Sequence, residues 1–263
     1  MPEGHTIHRA AAEHRGLLAG HEVEVRSPQG RFADGARLLD GRRLDDVEAH
    51  GKHLFYRWDT GDIVHVHLGL FGKFRRHDGA PPEPRPTTRL RMAVEEGAID
   101  LTGPTACALM DEGGRERILA RLGPDPLRDD ADPERFVRRV LRSRAPIGTL
   151  LMDQSVIAGV GNVYRAESLF VRGIHPSREG RDLSEDEVVA LWDTVREMLR
   201  DGVRRGRIIT TDPKELGIAR SRMRRGDRTY VYRQDACRRC GGPVERWTVA
   251  GRNAFACPAC QSA

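Results

Sequence analysis

The chain has 263 residues, of which 38% are hydrophobic and 32% charged, and it carries five cysteines. That length supports one large or two medium domains with real cores; no apolar run approaches a membrane span and no leader precedes the first helical pattern, so a soluble, cytoplasmic protein is expected. A formal net charge of +5 points weakly towards a polyanionic partner. The cations are lopsided: of 44 lysines and arginines, only Lys52, Lys73 and Lys214 are lysine.

The chain opens Met1-Pro2-Glu3-Gly4. The small side chain of Pro2 marks Met1 for removal, which leaves a secondary amine at the terminus. An α-amino group titrates near ~8, so part of it is nucleophilic at neutral pH. A disordered end is the plain alternative. From Thr6 to about Leu18, the positions Ile7, Ala10, Ala11, Leu17 and Leu18 recur at helical spacing, and Gly20 ends the run. Short alternating stretches follow: HEVEVRS, RRLDDVEAHG, KHLFYRW, DIVHVHLGLFG and LRMAVEEGAIDL. Bounded by glycine and charge, they predict the strands of a sandwich or barrel. Cys107, in the apolar PTACALM, is expected as a core thiol.

The Pro- and Asp-rich LGPDPLRDDADPE predicts an interdomain linker. Beyond it the pattern is helical through RFVRRVLRS, IGTLLMD, NVYRAESLFVRG and SEDEVVALWDTVREMLRDGVRRG. Ser184 with Glu187 forms a capping box for the last of these. Between two helices, Ala158-Gly159-Val160-Gly161-Asn162 predicts a tight turn whose backbone N–H groups and Asn162 amide face outward at a helix N-terminus, a phosphate seat. Alone it would be a packing motif; in a basic chain it reads as a clamp on the DNA backbone. RSRMRRGDR, over residues 220–228, is a basic loop.

Cys237, Cys240, Cys257 and Cys260 form C-x2-C-x16-C-x2-C at the end of the chain. Two such knuckles predict one structural Zn2+ held by four thiolates, with no coordination position left for catalysis. A disulfide pair is the alternative, and it fits poorly in a protein without a secretion signal.

PEG after Met1, GKHLF at 51–55, HLGLFG at 67–72, LLMDQSVIAGVGNVYRAE at 150–167 and GRNAFACPACQ at 251–261 together resemble the formamidopyrimidine-DNA glycosylase and endonuclease VIII family. The resemblance spans the chain in order and is closest to the endonuclease VIII branch. It implies an α+β multidomain fold. A catalytic β-sandwich with flanking helices covers 2–122, a linker 123–134, a helix–two-turn–helix DNA-binding domain 135–222, and a zinc finger with a β-hairpin 223–263.

The implied activity is that of a bifunctional DNA glycosylase and abasic-site lyase of base excision repair. It excises oxidised bases, mainly pyrimidines, through a Schiff base on the N-terminal proline and β,δ-elimination. Pro2 is then the nucleophile, Glu3 a proton shuttle at the sugar ring oxygen, and Lys52 a phosphate ligand and acid. Asn162 and Arg252 match the family's other phosphate ligands, His67 a further backbone contact, and Leu70 the wedge that fills the place of the flipped base, with Phe71 beside it. Each residue also has a plainer role: a first-turn carboxylate for Glu3, a turn cap for Lys52, a structural histidine for His67, a core position for Leu70, a solvated side chain for Arg252. The expected partner is double-stranded DNA with oxidised bases or abasic sites, bound by a monomer that is cytoplasmic and nucleoid-associated in a bacterium.

Two departures from the family bear on its specificity. The stretch LTGPTACALMDEGG lacks the Arg and Phe that the formamidopyrimidine branch carries on its second loop, and Thr6 replaces a second acidic residue. Two other activities therefore stay open: an oxidised-purine glycosylase of the same family, and a DNA lesion-binding module without chemistry.

Overall fold

The computed structural model of the chain describes residues 2–219, 222–249 and 251–261. Met1, expected to be removed, and Arg220 and Ser221 of the basic loop lie outside the described residues. The chain divides into two compact units, Met1–Arg121 and Leu122–Ala263.

The first unit begins with α1 (Gly4–Leu18), whose buried positions Ile7, Ala10, Ala11, His14, Leu17 and Leu18 repeat at three and four residues along one face. The helix starts ahead of the expected Thr6 because Glu3, in an extended conformation, occupies the N-cap, and its carbonyl accepts from the Thr6 N–H at 2.9 Å. Gly20, at φ +87°, takes a left-handed conformation that releases the chain into β1 (Glu22–Arg26). Then come α2 (Ala33–Leu39), β2 (Arg42–His50), β3 (His53–Trp58), β4 (Ile63–His67), β5 (Lys73–Asp78), β6 (Thr88–Val94), β7 (Gly97–Thr102), β8 (Ala106–Met110) and α3 (Glu112–Leu119).

The strands pair antiparallel in the order β5-β7-β6-β1-β2-β3-β4-β8. β1 belongs to both halves: Glu22 and Val23 face β2, whereas Glu24 to Arg26 face β6. Tyr56, Val64 and Val66 from one half meet Leu90, Met92 and Leu101 from the other in a single buried cluster with α1. The two layers of the sandwich thus share a strand. Burial of each such aliphatic side chain stabilises by about 1.5–3 kcal/mol. The reverse side of β3 is also covered, since Phe55 lies under the Arg115 guanidinium of α3 at 5.6 Å.

The second unit contains α4 (Pro133–Leu141), α5 (Ile147–Leu150), α6 (Asn162–Val171), α7 (Glu185–Arg205), α8 (Pro213–Leu216) and the hairpin of β9 (Glu245–Val249) with β10 (Arg252–Ala256). The capping box of α7 is present in both directions: the Glu187 N–H donates to Ser184 Oγ at 3.2 Å, and the Ser184 N–H donates to Glu187 Oε2 at 2.8 Å. The hairpin closes on α6 through Phe170, Tyr230, Phe255 and Cys257, and His175 stacks on Trp247 at 5.4 Å.

The segment expected as a linker over 123–134 starts differently. Its first residues are buried within this unit, the Gly123 N–H donates to the Gln154 carbonyl at 2.8 Å, and the Pro124 carbonyl accepts from Ala158 at 3.0 Å. A Cβ on Gly123 would meet Val156 at 2.5 Å, so glycine permits the close approach. Proline and aspartate here mark a strap laid on the 154–158 turn. Cys107 is half-buried on β8 at the core's edge, and burial pushes its thiol up to about 12.

Candidate active site and metal centre

In the first unit, Pro2 and Glu3 stand at the head of α1. Pro2 is half-buried, and the Glu3 side chain is fully buried at 0% exposure. A helix N-terminus carries partial positive charge, which disfavours a protonated amine beside it and favours a carboxylate. His5, one turn in, is held neutral: burial drives its pKa down to about 4.

Lys52 lies on the two-residue turn that joins β2 to β3, where His50 faces His53. Gly51 has φ +58° and Lys52 does not have positive φ, the pattern of a type II′ hairpin, so glycine at 51 fixes where the lysine projects. The pKa of His67, at the end of β4, is lowered by burial and then by the Lys52 charge. His53 faces His67 across the strands, their rings 5.0 Å apart, and the imidazoles of His53 and His65 hydrogen-bond at 2.9 Å. Burial, reinforced by neighbouring cations, takes His53 to about 3 and His65 to about 4. This neutral imidazole stack behind Lys52 and His67 carried no periodic signal in the sequence beyond the H-x-H of β4.

β4 ends at His67, and the alternation ends with it. Val64, Val66 and Leu68 are buried, but Leu70 is 56% exposed and Phe71 83% exposed. The core position that strand periodicity allowed for Leu70 is therefore not taken. The loop is locked from behind: Gly69 has φ +65° and a Cβ there would meet Thr105 Oγ1 at 1.9 Å, while one on Gly72 would meet the Leu68 carbonyl at 2.3 Å. Two apolar side chains are thereby held out on a rigid turn, a costly exposure unless something receives them.

In the second unit, Gly159 (φ +88°) makes the turn and Gly161 is the N-cap of α6. The Asn162 side chain differs from expectation. It is buried, and its amide donates to the Asn253 carbonyl at 3.1 Å instead of facing outward. Arg165, one turn on and 1% exposed, donates to the same carbonyl at 2.7 Å and to Asn162 Oδ1. Arg252 is exposed and begins β10 beside Gly251 (φ +73°), at the hairpin tip. Glu167 anchors the other side of α6. Its buried carboxylate accepts from the N–H groups of Tyr230, Val231 and Tyr232 at 2.6, 3.0 and 2.8 Å and from Thr210 Oγ1 at 2.5 Å. Arg165 and Glu167 escaped the sequence reading; charges inside an otherwise apolar helix were the available signal. A cavity of about 580 Å³ borders Val163 next to Asn162, with Tyr232, Thr229, Gln234, Arg225 and Arg228 among its lining.

The four cysteines converge. All their Sγ atoms lie within 4.8 Å of one another, with 4.0 Å between Cys237 and Cys260 and 3.5 Å between Cys240 and Cys257. A tetrahedron of thiolates around zinc at about 2.3 Å requires edges of about 3.8 Å, so the set fits a metal ion. The Gly242 N–H donates to the Cys240 sulfur at 3.4 Å, and the Arg239 N–H to that of Cys237 at 3.4 Å. No helix is long and apolar enough to cross a membrane among the described residues.

A β-sandwich, a glycine turn at the head of a helix and a four-cysteine hairpin define a class of DNA repair enzyme. Residues 1–105 match the formamidopyrimidine-DNA glycosylase N-terminal domain, and residues 122–214 match the formamidopyrimidine-DNA glycosylase H2TH domain. The chain belongs to the formamidopyrimidine-DNA glycosylase and endonuclease VIII family, whose members are DNA glycosylases with abasic-site lyase activity. It is 50% identical over 268 residues to endonuclease 8 1 of Mycobacterium tuberculosis, covering 100% of both chains. Formamidopyrimidine-DNA glycosylase of Thermus thermophilus is 33% identical over 270 residues, with 99% of this chain and 98% of that one covered. The fold is similar to that of Lactococcus lactis formamidopyrimidine-DNA glycosylase bound to abasic-site DNA, with TM-score 0.78 at 24% identity over 99% of this chain and 100% of the other.

Proposed function

We propose that this chain is a bifunctional DNA glycosylase and abasic-site lyase that excises oxidised bases, mainly pyrimidines, from double-stranded DNA. The observation that carries the proposal is Pro2 beside the buried Glu3 at the head of α1, in the same unit as the outward Leu70. The Pro2 amine attacks C1′, the N-glycosidic bond breaks, and the base leaves with its electron pair and takes up a proton. A secondary amine yields an iminium on the opened sugar, an electron sink for removal of the C2′ proton. Elimination then expels the 3′ phosphate and a second elimination the 5′ phosphate. Glu3 moves the proton at the ring oxygen, and Lys52 with His67 holds the lesion phosphate. Leu70 fills the space of the flipped base, with Phe71 beside it.

The flanking contacts come from Arg252 and from Asn162, through the amide hydrogen that the Asn253 carbonyl does not take, and the Cys237, Cys240, Cys257 and Cys260 set holds one structural Zn2+. A cytoplasmic monomer acting on the nucleoid agrees with this chemistry.

Borohydride reduction of the iminium tests the proposal on one abasic duplex. Protein with a free Pro2 crosslinks, Lys52→Ala crosslinks more slowly, and protein blocked by an N-terminal tag does not. Efficient trapping of the blocked protein would transfer the nucleophile to Lys52 and overturn the assignment.

A further inference from the structure

A cavity of about 470 Å³ opens in the first unit, and of the residues that line it only Phe71 has been assigned above. Its size lies within the range of about 300–1,000 Å³ typical of ligand sites. β5 is the edge strand of the sheet, and Lys73, Arg75 and His77 alternate along it, so their side chains share one face and all three line the cavity. Arg85 stands on the facing wall. The floor is formed by Thr102 and Asp100 of β7, which sit opposite Lys73 and Arg75 in the ladder.

Charge decides what this cavity takes. Asp100 is already saturated: Arg91 donates to its two oxygens at 2.6 and 2.7 Å, and His77 lies at 3.1 Å. Burial opposes ionisation there, but the Arg91 fork holds the carboxyl below its usual range. The floor is therefore neutralised. Lys73, Arg75 and Arg85 are exposed and, among the described residues, none is paired with a carboxylate. Glu83 is the one other acid in the lining, so three cations face an unfilled space with an aromatic ring at its mouth.

We infer that this pocket is a phosphodiester subsite, with a DNA backbone phosphate held by Lys73, Arg75 and Arg85 and the attached sugar against Phe71. The inference rests on the function proposed above and extends it. Leu70 enters the duplex on the same loop, so the phosphate bound here flanks the gap that Leu70 fills. The phosphate belongs either to the damaged strand or to its complement.

The test measures affinity against salt for full-length protein on a tetrahydrofuran abasic analogue, as duplex and as single strand. Removing one phosphate contact lowers the slope of log K against log salt by about 0.9 on duplex and about 0.7 on single strand. The triple variant Lys73→Ala, Arg75→Ala, Arg85→Ala is expected to lose at least that slope on duplex and to bind about tenfold more weakly near 100 mM salt. Phe71→Ala weakens binding and leaves the slope at the wild-type value. A loss on both substrates places the phosphate on the damaged strand, and a loss on duplex alone places it on the complement. An unchanged slope on both substrates overturns the subsite while wild-type borohydride trapping persists. A wild-type protein that fails to trap abasic DNA overturns the glycosylase proposal itself, and this subsite with it.

Discussion

The side-chain amide of Asn162 donates to the carbonyl of Asn253, the residue that follows Arg252, at 3.1 Å. Two proposed phosphate ligands, 90 positions apart in the chain by their numbers, are thereby set by one shared contact. Arg165 makes it rigid, because its guanidinium donates to the same carbonyl and to Asn162 Oδ1. Arg165 is a positioning residue: it holds Asn162 against the Asn253 carbonyl.

Arg165→Met keeps the length of the side chain and removes its charge-assisted hydrogen bonds, each about 1.5–3 kcal/mol. Urea unfolding is expected to show the second unit about 2–3 kcal/mol less stable, and affinity for abasic DNA is expected to fall further than in Arg252→Ala. Wild-type stability and affinity in Arg165→Met would leave the buried guanidinium without the positioning role.

Metal removal is expected to act locally. The finger buries few apolar residues of its own, chiefly Tyr230, Val231, Ala254, Phe255 and Ala256, so much of its folding free energy is expected to come from a bound ion. A strong chelator, or Cys240→Ser, should release about one zinc per chain by metal analysis. DNA affinity should collapse while the thermal transition of the sandwich unit stays in place. Undiminished DNA binding by metal-free protein would contradict the structural role of the ion.

Stability is expected to fall with acidification from about pH 6.5. His14 is buried, hydrogen-bonded to the Tyr56 hydroxyl at 2.7 Å, and burial lowers its pKa to about 3, against 6.5 when free. Its folded pKa is depressed, so between these values the unfolded chain binds the extra proton and unfolding is favoured as pH drops. Each such histidine steepens the dependence by up to about 1.4 kcal/mol per pH unit. In His14→Gln, proton uptake on unfolding near pH 5 should be smaller by about one. Equal uptake in variant and wild type would mean that His14 is protonated in the fold.

Leu70→Ala tests the wedge without touching the core. The side chain is 56% exposed, so the melting temperature should change by less than the equivalent of about 0.5 kcal/mol. Single-turnover excision of an oxidised pyrimidine should slow by about ten- to a hundredfold, because the unstacked gap then stays unfilled. An excision rate equal to wild type would reduce Leu70 to a surface residue.

Local chemistry made much of this molecule legible before folding. The Ser184–Glu187 box, the glycine turn ahead of Asn162, the apolar stripe of α1 and the two cysteine knuckles each depend on residues within a few positions of one another. β5 is hidden in the sequence because KFRRHD, an edge strand, sends one apolar side chain, Phe74, to the core and so shows no apolar alternation. α2 and α3 are too short to establish a period. β8 lies within the stretch LTGPTACALMDEGG, and as an edge strand paired only with β4 it is half-buried along its length and shows no clean alternation.

By itself, the sequence determined the candidate residues: a proline and a carboxylate next to Met1, a lysine in GKHLF, four thiols at metal-binding spacing. Only the tertiary structure decided their surroundings. It buried Glu3, turned Leu70 outward, drew Asn162 onto Asn253, stacked three histidines behind Lys52 and left three cations facing a cavity beside Phe71. The physical reason is that a spacing motif is enforced by a few adjacent backbone torsions. Burial, hydrogen-bond partnership and unpaired charge are set by residues distant in the chain, whose arrival a local pattern does not encode.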